Sequence, residues 1–164
     1  MAMQVRMSGA TRFQILDEDG DELPGSWEYH WEGRDPFEAV MAAVTEVSGK
    51  PWEWTGRGPR SGRFSPVRCR TMAVRVSNVL RKSRRVAAAA YIARVVAEEF
   101  ELKQRRKVDP AAVLEVLCGR REPSEEERES QPELLAAVML RGLRDALRAA
   151  VECDGGLRVQ WRAE

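Results

Sequence analysis

Residues 27–49 read WEYHWEGRDPFEAVMAAVTEVSG, and the fold class turns on how this stretch is parsed. Trp27, Tyr29 and Trp31 recur at every second position, with Glu28, His30 and Glu32 between them. Alternation of that period puts aromatic rings on one side of an extended chain and polar groups on the other, so the segment reads as a half-buried strand. Asp35-Pro36 then opens a helix. An acid at the cap accepts free backbone N–H groups, and proline at the first helical position forfeits no hydrogen bond. Phe37, Val40, Met41, Val44 and Val47 follow at helical spacing, and Gly49 supplies the C-terminal stop.

Upstream, Val5 and Met7 alternate with Arg6 and Ser8, Ser8-Gly9 reads as a turn, and Phe13 and Ile15 alternate with Arg12 and Gln14. The acidic run DEDGDE at 17–22 carries Asp19-Gly20, a favoured two-residue hairpin turn. The chain is therefore expected to begin β-β-β-α. At the other end, Leu135, Met139, Leu143, Leu147 and Ala150 mark a strong helix over 132–152. Asp154-Gly155-Gly156 turns the chain, and Leu157, Val159 and Trp161 alternate as a last strand. That strand is expected to return to the amino-terminal sheet, because alone it would leave its edges unpaired.

The middle is harder to parse. Residues 55–66 hold glycines, prolines and three arginines and read as a basic loop. Residues 67–76 fit a strand or the start of a helix, with Ser65 as cap and Pro66 first. From Thr71 a seam of Met72, Val76, Val79, Ser83, Val86, Ala90, Ala93, Ala97 and Phe100 predicts one long basic helix reaching about Leu102. Its alanine-rich middle would let a second copy pack closely, giving a homodimer. A basic break at 103–107 precedes a short helix opened by Asp109-Pro110 and closed by Gly119. Residues 120–131 read as an acidic linker or first helical turn, with Ser124 and Glu127 spaced as a capping box. The expected fold is α+β in a single domain, residues 1–164. An antiparallel sheet of three amino-terminal strands and a returning C-terminal strand packs against about four helices, one of them long and basic.

Composition agrees with that picture. The 164 residues are 43% apolar and 32% charged, a globular balance. No apolar run approaches the ~20 residues needed to cross a bilayer, and the first residues lack an apolar core of signal-peptide length. Cys69, Cys118 and Cys153 are odd in number and form no CxxC pair, so reduced thiols and a cytoplasmic location are expected. Arginine outnumbers lysine 23 to 4, as in a GC-rich coding genome such as that of a high-GC bacterium or a phage or mobile element of one.

Charge is divided along the chain. Residues 54–107 contain fifteen Lys or Arg against three Asp or Glu, and the remainder contains twelve against twenty-three. The net charge of +1 conceals this division, and no acid occurs between Trp54 and Ala97. Such a run needs a counter-charge. The chain's own acids at 17–22 and 122–129, an acidic protein partner, and a nucleic-acid backbone are the three candidates. On a continuous helix Arg75, Asn78, Lys82 and Arg85 would form one polar stripe flanked by Arg81 and Arg84, suited to phosphates and base edges. Arg57, Arg60 and Arg63 in the loop, with Arg68 and Arg70 after it, extend the block. Trp52 and Trp54 lie beside it, either as sheet packing or as stacking surfaces for bases. Arg141, Arg144 and Arg148 form a lesser stripe, accounted for locally by pairing of Arg141 with Asp145 and of Arg148 with Glu152.

Signs of chemistry are few. Glu28, His30 and Glu32 share one face of a strand and form a weak candidate metal set, more simply read as a wet sheet face. The DEDGDE run has the alternating aspartates of a calcium loop, but its glycine stands fourth rather than sixth. A cysteine nucleophile would have only His30 to call on. No phosphate-binding glycine loop, serine elbow or dinucleotide fingerprint is present, and no cofactor is implied. The sequence thus leads to a non-catalytic nucleic-acid-binding accessory protein. The alternative is a protein-interaction module, such as a small subunit, assembly factor or inhibitor.

Overall fold

The computed structural model describes residues 8–104 and 107–163, with side chains described outside 99–104. The chain is α+β. Its elements run β1 (Ser8–Leu16), β2 (Glu22–Glu32), α1 (Phe37–Ser48), β3 (Gly56–Gly58), β4 (Ser61–Phe64), α2 (Pro66–Val79), α3 (Arg85–Gln104), α4 (Pro110–Leu117), α5 (Glu125–Ser130), α6 (Pro132–Glu152) and β5 (Gly156–Ala163). The five strands form one antiparallel sheet in the order β2-β1-β5-β4-β3. The C-terminal strand does return, and it inserts between β1 and β4.

Register assigns the two faces. Phe13 lies opposite both Trp27 and Val159, and Thr11 opposite both Tyr29 and Trp161. These side chains share the face covered by α6, which touches β1, β2 and β5. Tyr29 reaches α6 at Gly142, where a Cβ would stand 1.7 Å from the phenol oxygen. On its other sides α6 meets α1, α2, α3, α4 and α5. The buried core is continuous from the sheet through α6 to α3 and α4.

Several expectations are corrected. β1 runs straight through Ser8-Gly9, so no turn forms there, and among the described residues the chain opens β-β-α rather than the expected β-β-β-α. Gly9 instead marks a close approach, since an added Cβ would meet the Arg162 carbonyl and the Trp31 ring, both at 2.4 Å. Val5 and Met7 lie outside the described residues. The 55–66 segment is not a loop but contains the β3–β4 hairpin, anchored where the Trp161 N–H donates to the Arg60 carbonyl at 3.0 Å. Residues 67–76 are helical, with the Ser65 hydroxyl capping the Arg68 N–H. The 120–131 linker includes α5, and its Ser124–Glu127 capping box is formed.

The long basic helix is two helices. α2 ends at Val79, and α3 starts at Arg85 after a turn in which the Arg81 carbonyl accepts from the N–H groups of Arg84 and Arg85. The cause is phase. α2 buries Met72, Val76 and Val79, whereas α3 buries Ala88, Ala89, Ile92, Ala93 and Val96. At about 100° per residue, Ile92 would point about 160° away from Val76 on one straight helix. A single rod cannot bury both, so the chain turns. Val86 and Ala90 are consequently exposed while Ala93 is buried within its own chain. The expected alanine seam is therefore not one continuous stripe. The side chains of Phe100 and Leu102 and the residues 105–106 lie outside the described part.

Gly142 gives a test of the α6–sheet contact. Alanine in an unobstructed helix is worth about 1 kcal/mol over glycine, but here it meets the Tyr29 phenol. Gly142→Ala is expected to lower stability by about 1–3 kcal/mol through overpacking. Urea denaturation should also show Gly142→Ala with Tyr29→Phe less destabilised than the two single changes added together.

Candidate nucleic-acid interface

The ion pairs decide which charges are already answered within the chain. Glu22 at the end of the acidic hairpin pairs with Arg158, and the Asp17 carboxylate accepts the N–H groups of Asp19 and Asp21. In the linker, Glu122 pairs with Arg141 at 2.7 Å and Glu127 with Arg121. Glu22, Glu122 and Glu127 are thus paired with bases outside the 54–107 block, while the turn of the acidic hairpin lies beside Arg63 of the block. Arg141 is held by Glu122 rather than by the expected Asp145, which pairs with Arg144 at 3.2 Å, and the expected Arg148–Glu152 pair is not formed among the described residues. Within the basic block, Arg68 meets Glu53 at 2.5 Å and Arg94 meets Glu98 at 3.7 Å. Among the described residues, Arg70, Arg75, Arg81, Lys82, Arg84 and Arg85 form no ion pair.

The break between α2 and α3 brings part of this set to one place. α2 and α3 hardly touch each other, but both pack on α1 and α6. Two open clefts result. One, of about 490 Å³, lies between the end of α1 and α2, with Lys50, Thr71, Val74, Arg75, Asn78 and Arg84 on its walls. The other, of about 530 Å³, lies between α1 and the start of α3, with Glu46, Val47, Arg84, Ala87, Tyr91 and Arg94 among its lining. Arg84 stands in the walls of both. The Arg75 guanidinium donates to the Pro51 carbonyl at 2.7 Å, which fixes its position while leaving its charge unanswered. The Arg94 guanidinium lies over the Tyr91 ring, 5.4 Å from its centre.

The stripe of Arg75, Asn78, Lys82 and Arg85 is therefore not a single row. Arg75 and Asn78 lie on α2, Arg81 and Lys82 are exposed in the turn, and Arg85 opens α3 half-buried. The arginines of the hairpin are not gathered. Arg57 lies opposite Gly62 and Arg63 opposite Gly56, so they project from opposite faces, and Arg60 sits at the exposed tip. Arg57 stacks over Trp161 at 6.0 Å, and Arg63 stands beside Gly20 of the acidic turn. Arg70 is exposed on α2.

Trp52 and Trp54 face inward. Trp52 is edge-on to Phe37 at 5.8 Å and to Trp54 at 5.4 Å, and Trp54 stacks on Phe64 at 4.7 Å. Gly62 permits this, because an added Cβ would lie 2.5 Å from the Trp54 ring. These rings join the α1, β4 and β5 side chains into one aromatic cluster.

Basic residues outside the block were passed over in the sequence. Arg12 lies opposite Glu28 and Gln160, Gln14 opposite Arg158, and Ala10 opposite Arg162, all on the sheet face away from α6. The signal was the alternation of Arg158, Gln160 and Arg162 with the apolar Leu157, Val159 and Trp161. Glu28, His30 and Glu32 are exposed along β2. Among the described residues, no group of three or more His, Cys, Asp or Glu side chains is placed to hold a metal ion. Burial pushes the Cys69 thiol up to about 12, which keeps it protonated. Burial, with Asp145 second, likewise pushes the Tyr29 phenol up to about 12. The Asp35 carboxyl is raised by burial, against the lowering effect of the Phe37 N–H. No helix among the described residues is long and apolar enough to cross a membrane.

Comparison of the chain with protein-family models, with curated proteins and with solved structures finds no match.

The aromatic cluster makes a prediction that separates packing from ligand contact. Trp54→Ala is expected to cost about 2–3 kcal/mol in urea denaturation, below the range for a fully buried ring because Trp54 is half-exposed. Unchanged stability with lost binding would instead return Trp54 to a ligand-facing role.

Proposed function

We propose that this chain is a non-catalytic nucleic-acid-binding protein, and that its contact surface is the basic ground around the α2–α3 turn. The observation that carries the reading is the segregation of ion pairs. Glu127, Glu122 and Glu22 of the acidic segments pair with Arg121, Arg141 and Arg158, and among the described residues six bases from Arg70 to Arg85 form no ion pair. A phosphate backbone is the counter-charge that fits a row of guanidinium groups spaced along helices and a turn. Arg is suited to it by its planar, permanently charged donor fork. Phosphate contacts would position the protein, and Asn78 beside Arg75 is the polar group best placed to reach a base edge. An accessory role of the kind encoded by a phage or mobile element is compatible with this chemistry.

A second reading is an acidic protein partner docked on the same ground. What favours it is the exposure of three valines there: Val67 at 64%, Val74 at 62% and Val86 at 58%. Protein interfaces combine apolar contact with complementary charge.

Salt separates the two readings. Fluorescence anisotropy with labelled strands is expected to show affinity falling by about 10³-fold between ~50 and ~200 mM salt if six phosphates are engaged. Arg75→Glu combined with Arg84→Glu should remove most of the binding and flatten the salt dependence, with the circular dichroism spectrum unchanged. Absence of binding to any DNA or RNA at the lowest salt would overturn the nucleic-acid reading and leave the protein partner.

A further inference from the structure

The shape of the basic ground says more than its charge. A protein that reads duplex DNA by its bases presents a convex helix or ribbon that enters the major groove, about 12 Å wide. Here Arg75, Asn78 and Arg84 do not stand on a ridge. They line recesses walled by α1, α2 and α3, and Arg84 joins one recess to the next. A recess cannot enter a duplex groove, but it can admit an unpaired strand.

The lining fits such a strand in both of its chemistries. Lys50, Arg75 and Arg84 offer positive charge along the walls, Arg94 adds a guanidinium plane whose charge is shared with Glu98, and Glu46 is the carboxylate among the lining residues. Between them lie flat or small apolar surfaces: Tyr91 under the Arg94 guanidinium, and Ala87 and Ala90 on the same wall. An aromatic ring and a guanidinium plane are the surfaces on which unstacked bases are held, irrespective of sequence. The hollow against α3 is open to solvent, so a base can lie against its wall.

Resting on the nucleic-acid reading, we infer that the protein selects single-stranded over duplex nucleic acid. The backbone follows Arg75 and Arg84, and a base is held against the Tyr91–Arg94 pair. Tyr91 acts by contact area and the arginines by charge, so the two can be told apart.

The test uses the full chain and fluorescent DNA and RNA oligonucleotides, each as a single strand and as the matching duplex, titrated at several salt concentrations. Single strands are expected to bind at least ~10-fold more tightly than the duplex, and Tyr91→Ala to lose ~10-fold for single strands without changing the salt slope. Tyr91→Phe should bind like the parent. Because Tyr91 also packs against the core, Ala87→Glu provides a second variant. It places a carboxylate in the cleft from an exposed position and should weaken strand binding while leaving the thermal transition unchanged. Duplex binding equal to or tighter than strand binding would overturn the inference and leave the broader reading intact. Binding of neither polymer would remove that reading, and the inference with it. Displacement of the strand by polyglutamate as readily as by unlabelled strand would show that the cleft recognises charge alone and would likewise overturn the inference.

Discussion

Thirteen of the twenty-one residues of α6 are buried, on more than one side of the helix, and among them only Glu133 carries a charge. A helix with so wide an apolar surface must be enclosed. The sheet encloses one side, through Phe13, Tyr29 and Val159, and the remaining helices enclose the others. Each element therefore has an inner face set by contact with α6 or its neighbours and an outer face free to carry charge. Gly142 shows how close the contact is, since it lets the Tyr29 ring lie against the α6 backbone.

This enclosure explains why the charges separate as they do. Acids at the junctions around α6 are held near its arginines, as Glu122 is by Arg141. The α2–α3 segment is drawn in by apolar residues at two different phases, and the turn between them cannot be buried. Four of its five residues from Arg81 to Arg85 are basic, with Ser83 between. Surface ion pairs contribute only about 0–1 kcal/mol each, so leaving these bases unpaired costs the fold little. Stability therefore permits their placement.

Most of the architecture was legible in the sequence where apolar periodicity was strong and unambiguous. The alternation of Trp27, Tyr29 and Trp31, the Asp35-Pro36 helix start, the long final helix and the returning strand all appear in the structure. The β3–β4 hairpin was hidden because it is short and rich in glycine and arginine, with Phe64 its one large buried side chain, and is supported from outside by Trp54 over Gly62 and by Trp161. The α2–α3 break was hidden for a different reason. Small alanines allow an apparently continuous seam, and only the bulkier Ile92 and Val96 reveal the true phase. The break turned a straight stripe into a set of clefts, and the β3–β4 hairpin parted the loop arginines onto different faces. Arg75 and Asn78 kept their place because both lie before the break.

The helix starts add an independent reason to expect an anion at the turn. Acidic side chains stabilise a helix N-terminus and basic ones oppose it, by roughly 0.3–1 kcal/mol each at the surface. α1, α5 and α6 obey this, with Glu38, with Glu125, Glu126 and Glu127, and with Glu133 in their first turns. α2 and α3 do not. Neither has an acid in its first turn, and α3 begins at Arg85, directly after Arg84. The same chain that builds a full capping box on α5 thus places bases at the positive end of α3. The N–H groups of Arg84 and Arg85 are already met by the Arg81 carbonyl, so what the turn leaves unanswered is its guanidinium charge, which a phosphate supplied from outside would meet. On that account the unfavourable local charge at the α2–α3 turn is what a bound strand would offset.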